Sequence, residues 1–172
     1  MEYKNKNDNK FRQIFEFNHE VNWKTISMLA LLAILPNLLG MINTSVFGVK
    51  IHFFQYLVFL AAIIYGPLGG AVSGAFGSVY TAVALNNPYI IIGNIILGVL
   101  VGVFVRLKLH VIIAVLLAYA MQLPWLWYSD IYLAGMPIRA VQLIVVALFL
   151  SNVIWGFVAW KTHKKVSRLI IN

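Results

Sequence analysis

The chain has 172 residues, of which 62% are hydrophobic and only 10% charged, against roughly 25% charged in an ordinary globular protein. That leaves too little polar surface to cover a water-soluble particle and implies an integral membrane protein. The formal charge is +8, but the positive residues flank apolar runs, so orientation in a bilayer explains them better than nucleic-acid binding. There is no cysteine, which excludes disulfides, thiolate metal sites and thiol catalysis.

The first element is a polar head, residues 1–24, expected at the cytoplasmic face or in the interface. Within it Phe11, Ile14, Phe15 and Phe17 lie among Arg12, Glu16 and Glu20 at near-helical spacing, the pattern of an amphipathic interfacial helix. Apolar runs follow near residues 25–42, 49–66, 67–85, 88–105, 109–127 and 137–160, and a basic cytoplasmic tail fills 161–172. The first run lacks a small-residue cleavage site and is read as a retained helix. At about 20 residues per span, residues 25–160 hold six spans and leave no room for a soluble catalytic domain. The expected fold is an all-α integral membrane protein with six transmembrane helices.

The second and third runs are contiguous and form either one over-long helix or two. The junction Tyr65-Gly66-Pro67-Leu68-Gly69-Gly70 favours a break, because proline removes a backbone donor and glycine permits a reversal. Charge selects the same answer. With six spans and both termini cytoplasmic, eleven of the thirteen basic residues lie inside, leaving only Lys50 and Arg139 outside. Five spans would put Arg106, Lys108 and the whole tail outside, against the usual bias of Lys and Arg.

After Glu20 the only acidic residue is Asp130, in the fifth, outward-facing connection. Proton- and sodium-coupled carriers hold ionisable groups near the midplane, and no Asp or Glu is available there. No phosphate loop, HExxH helix or nucleophile elbow occurs. His19, His52, His110 and His163 lie on different segments and cannot share a metal. No enzymatic activity, cofactor or metal is expected, and energy for uptake would have to come from a partner.

Polar and aromatic residues gather toward the extracellular half. His52 and Gln55 start the second span, Asn87 follows the third, and Asn94 lies in the outer half of the fourth. Gln122, Trp125, Trp127 and Tyr128 end the fifth, Asp130 follows, and Arg139 and Gln142 open the sixth. A small ligand needs an apolar enclosure with a few placed polar groups. Trp125, Trp127 or Tyr128 would stack on a flat ring; His52, Asn87, Gln122, Asp130 or Arg139 would bond its polar edge. The ordinary uses of the same residues are an interfacial aromatic belt, helix–helix hydrogen bonds and a surface ion pair. A row of small residues, Gly66, Gly70, Gly74 and Ser78, with Gly98 and Gly102 in the next span, allows close helix approach within the bundle or a flat face for a partner.

These features resemble the substrate-binding S components of energy-coupling factor transporters, a branch of the ABC importers. The likeness covers roughly residues 25–160 and rests on six short spans, both ends inside, and the stretch Tyr65-Gly66-Pro67-Leu68-Gly69-Gly70-Ala71-Val72-Ser73-Gly74. It implies a pocket near the outer face for a vitamin or similar micronutrient, with residues 43–52 as its lid. It implies as partners a membrane coupling protein and two cytoplasmic ATPases, and as location a prokaryotic plasma membrane. The family often carries Ala-x-x-x-Ala on its first span for docking; here Ser27, Ala30 and Ala33 are spaced by three, and Gly70 and Gly74 are added to that candidate face. An acidic residue common near the end of the third span is replaced by Ser78, Tyr80 and Thr81. Two other classes stay open: a solitary carrier for a small ring-containing solute, and a non-transport membrane assembly protein.

Overall fold

A computed structural model describes residues 14–17, 22–42, 45–46, 49–50 and 52–171. Helix α1 (Trp23–Gly40) starts where the Asn22 side chain accepts the Thr25 backbone N–H at 2.9 Å, a normal N-cap. A short antiparallel hairpin follows, β1 (Ser45–Val46) with β2 (Val49–Lys50), and β2 lies against the last helix. This hairpin is a small addition to the expected all-helical fold. Then come α2 (Gln55–Gly77), α3 (Val79–Ala84), α4 (Tyr89–Arg106), α5 (Val111–Tyr128), a π-helical turn (Ser129–Leu133) and α6 (Ile138–Ile171).

The break expected at Gly66-Pro67 is present. Gly66 sits at φ 76°, ψ −160°, a conformation essentially reserved for glycine. The arms on either side, residues 55–65 and 67–77, fold back on one another. A methyl group placed on Gly69 would lie 2.7 Å from the Ala61 carbonyl oxygen, and one on Gly70 would lie 3.0 Å from Ala62 Cβ. Residues eight apart in a continuous helix are about 12 Å apart, so the two arms make a hairpin. The Arg106 guanidinium covers its turn, with Nη2 2.8 Å from where a Gly66 methyl would be.

The second arm is the centre of the bundle. It runs parallel to α1, with the Ser73 hydroxyl donating to the Leu32 carbonyl at 2.6 Å and Gly77 seated on Pro36. Asn37 secures the end of this contact by donating to the Phe76 carbonyl at 2.8 Å and accepting from the Tyr80 N–H at 2.8 Å. On its other side the arm runs antiparallel to α4. Gly70 meets Gly98 backbone to backbone, Gly74 meets the Asn94 carbonyl, and Gly102 meets the Gly66-Pro67 peptide. This is the most extensive helix contact of the described residues and uses the small-residue row as membrane helices commonly do.

Phe59, Leu60, Tyr65, Leu97, Val101 and Val115 are fully buried in the core. Phe17 of the head stacks on Tyr65 with ring centroids 5.3 Å apart; Phe11, the first residue of the expected interfacial helix, lies outside the described residues. Large apolar side chains such as Trp23, Ile34, Val83 and Leu143 are more than 60% exposed, as a lipid-facing surface requires. Five helical stretches are long and apolar enough to cross a membrane: Trp23–Gly40, Gln55–Ala84, Tyr89–Arg106, Val111–Leu133 and Ile138–Leu169. The chain is a multi-pass membrane protein. Helix α6 has 34 residues, about 51 Å at 1.5 Å per residue, and continues unbroken through the basic stretch expected to be a tail.

Candidate functional site

The first arm of α2 is too short to cross a bilayer. Residues 55–65 give about 16 Å of helix, half of a 30 Å hydrocarbon core. Its start is pinned deep in the bundle, where the His52 backbone N–H donates to Ser151 Oγ at 3.0 Å. Ser151 lies about 20 Å along α6 from Ile138 at 1.5 Å per residue. Above that point no described helix fills the position, and a cavity lies there. The cavity volume is about 70 Å³, and all the free space around it, including that open to solvent, is about 600 Å³. His52 and Phe54 border it below; Ile90, Leu126, Ile144 and Leu148 form apolar walls. It lies at the Tyr89 end of α4 and the Tyr128 end of α5, opposite Arg106, Lys108 and the basic end of α6.

Six polar side chains besides His52 enter this lining: Thr81, Asn87, Asn94, Gln122, Ser129 and Asp130. A left-handed residue, Asn86 at φ 49°, turns the chain between α3 and α4 and places Asn87 inward. The Asn87 Nδ2 donates to Asp130 Oδ1 at 2.7 Å, while its Oδ1 accepts the Tyr89 N–H at 3.1 Å. Asp130 stands in the π-helical turn, whose wider winding carries Ser129 and Asp130 inward together; both are buried. The Met136 N–H donates to the Asp130 carbonyl at 2.8 Å and closes the turn. Gln122 Nε2 donates to the Gly93 carbonyl at 2.8 Å, and Asn94 Nδ2 to the Ile90 carbonyl at 3.0 Å. Such an enclosure, mostly apolar with a few fixed polar groups, suits a small organic ligand.

Of the residues expected from the sequence, the structure brings His52, Asn87, Asn94, Gln122 and Asp130 together around the cavity. Gln55 is buried one turn beyond His52 and does not line it. Trp125 is half-buried beside Gly93, its Nε1–H donating to the Tyr89 carbonyl at 3.2 Å. Trp127 and Tyr128 point elsewhere, into an open apolar groove between α5 and α6 with Pro124 and Tyr132. Arg139 and Gln142 are exposed and outside the lining. The reading from sequence missed the hydroxyls of Thr81 and Ser129 and all of the apolar lining, Phe54, Leu126, Met136, Ile144 and Leu148 among it. Ser129 was accessible to it, since it follows Gln122 and Leu126 at the spacing of one helix face.

The candidate docking residues separate as well. Ser27 and Ala30 are exposed, but Ala33 is buried. Gly70 and Gly74 are enclosed between α2 and α4, where the closeness of the two backbones leaves no face for a partner. The expected lid, residues 43–52, falls partly outside the described residues; its hairpin strands and His52 are described.

No protein-family model matches the chain, and no curated protein sequence does. Among solved structures it is similar to a protein described as the S component of a bacterial ECF transporter. That match is 16% identical, covers 87% of this chain and 96% of the other, and has a TM-score of 0.57. A likeness at that identity speaks for the path of the backbone. The chain has the fold of this ECF-transporter S component.

Proposed function

We propose that the chain is the substrate-capture subunit of an ECF-type importer, with no enzymatic activity of its own. It crosses the membrane six times, the chain from the β hairpin through the first arm of α2 making the second crossing and the second arm with α3 the third, with both termini cytoplasmic and the cavity facing outward in a prokaryotic plasma membrane. Its cargo is a vitamin or related micronutrient, handed inward with a membrane coupling protein and two cytoplasmic ATPases. The observation that carries this reading is the cavity: His52, Asn87, Asn94, Gln122 and Asp130, from five separate places in the chain, line one enclosure opposite the basic end of the bundle. The bias of Lys and Arg toward the cytoplasm supports an outward-facing enclosure. The fold likeness over nearly all of both chains supports it. Among the described membrane helices Asp130 is the only acidic residue, which favours an external energy source over ion coupling.

Equilibrium binding to the purified protein, followed by uptake into reconstituted vesicles, tests the reading. The expected result is tight binding of one member of a vitamin panel, with uptake only when the coupling protein and ATPases are present. Uptake by this chain alone would identify a solitary carrier instead.

A further inference from the structure

The class of ligand follows from the direction of the hydrogen bonds around the cavity, given the capture-subunit reading above. A carbonyl oxygen can only accept, so the bonds from Asn94 to Ile90 and from Gln122 to Gly93 fix both side-chain amides. Their nitrogens are bonded to the protein wall, and their oxygens have no donor among the described residues. Asn87 is committed similarly, with Nδ2 on Asp130 Oδ1 and near Met136 Sδ at 4.0 Å.

Besides the Thr81 hydroxyl, which can donate as well as accept, three oxygens are left over: Asn94 Oδ1, Gln122 Oε1 and the second carboxylate oxygen of Asp130. None of the described residues donates to them, and none of the three is sealed in the protein interior. Their side chains line the cavity and are only 6%, 5% and 6% exposed, in that order. They come from α4, α5 and the π-helical turn. All three are acceptors, and one carries a negative charge. Asp130 is the only Asp, Glu, Lys or Arg among the described lining residues, because Arg139 lies outside the cavity. A buried carboxylate calls for a cation or strong donors, and a second anion beside it would be repelled.

We infer that the cavity holds a small organic cation bearing N–H donors, of the amidine, aminopyrimidine or ring-ammonium kind. Its N–H groups meet Asp130, Asn94 and Gln122, and its apolar body lies against Phe54, Leu126 and Leu148. Carboxylates and phosphates of the same size are rejected.

Benzamidine, benzamide and benzoate form a matched test set, nearly equal in shape and differing in charge. Binding of each is measured on the lipid-nanodisc protein and on D130N, whose helix content and unfolding midpoint are checked first. The expected result is benzamidine at least about 10-fold tighter than benzamide, no measurable benzoate, and loss of that preference in D130N. Benzamide or benzoate binding as well as benzamidine, or a preference that survives in D130N, overturns the cation assignment and leaves the capture subunit standing. If no probe binds, the small molecule released on denaturing freshly purified protein decides. A cation with N–H groups supports the assignment; an anion, or a neutral molecule without donors, overturns it. A protein that binds no probe and releases nothing overturns the capture reading and this assignment together.

Discussion

Asn87 holds two partners at once: its nitrogen fixes the Asp130 carboxylate and its oxygen caps the start of α4 through Tyr89. A hydrogen bond to a charged group contributes about 1.5–3 kcal/mol, so Asn87→Ala should weaken binding of the captured molecule by about 10- to 100-fold. Titration of the variant against the same ligand checks this, and unchanged affinity would remove Asn87 from the site. Arg139→Ala should leave affinity unaltered, since Arg139 is exposed and outside the cavity; a measurable loss there would move the site. At this scale the sequence reading went far because polar residues in an apolar chain are few, and five of those it named do line the cavity. It did not separate Trp127 and Tyr128 from them. The distinction lies in helical phase: Gln122, Leu126, Ser129 and Asp130 follow one face of α5 and its extension, while Trp127 and Tyr128 lie on another and line the open groove. Composition at the outer end of a span does not reveal which face turns inward.

The contact of the second α2 arm with α4 depends on the absence of side chains. Gly70 and Gly98 touch through their backbones, so Gly70→Ile should force the two helices apart and cost several kcal/mol, as overpacking does at its worst. A large drop in unfolding midpoint, or failure to purify a monodisperse protein, is the expected readout. Gly135→Ala is the contrast. Gly135 has a positive φ of 67° but open space around it, so only the local strain of about 1–2 kcal/mol applies. Equal effects of the two changes would contradict the packing described. The hairpin turn at Gly66 was legible because Gly-Pro chemistry is local and needs no tertiary context. The true start of the first arm was not, since residues 49–66 are uniformly apolar apart from three polar side chains, and hydropathy does not distinguish a strand, a turn and a helix. Nor could the glycine row announce its use, because small residues serve internal packing and partner docking equally well.

For the whole molecule, the proposed orientation has a direct check that the cysteine-free sequence makes clean. Single cysteines at Tyr132 and Lys164 should react with an impermeant thiol reagent from opposite sides, Tyr132 in intact cells and Lys164 only after permeabilisation. Labelling of both from outside would refute the six-span arrangement. The bundle also has one seam that is less satisfied than the rest. Gln55 Oε1, both polar atoms of Asn152 and the Trp155 Nε1–H are buried without a hydrogen-bond partner among the described residues, on the two helices that His52 and Ser151 bring together. A buried orphaned polar group costs about 1–3 kcal/mol. Asn152→Leu, which removes two of them at similar volume, should therefore raise the unfolding midpoint; a fall would mean that Asn152 makes bonds to something besides these residues.

Under the proposed function, the half-length first arm shortens the distance that cargo would have to be carried. In the proposed orientation, a molecule resting above His52 would already have passed through the upper half of the insulating layer without any protein motion. In that arrangement roughly 16 Å of helix would separate it from the cytosol, and a partner that delivers it would need to shield only that remaining depth.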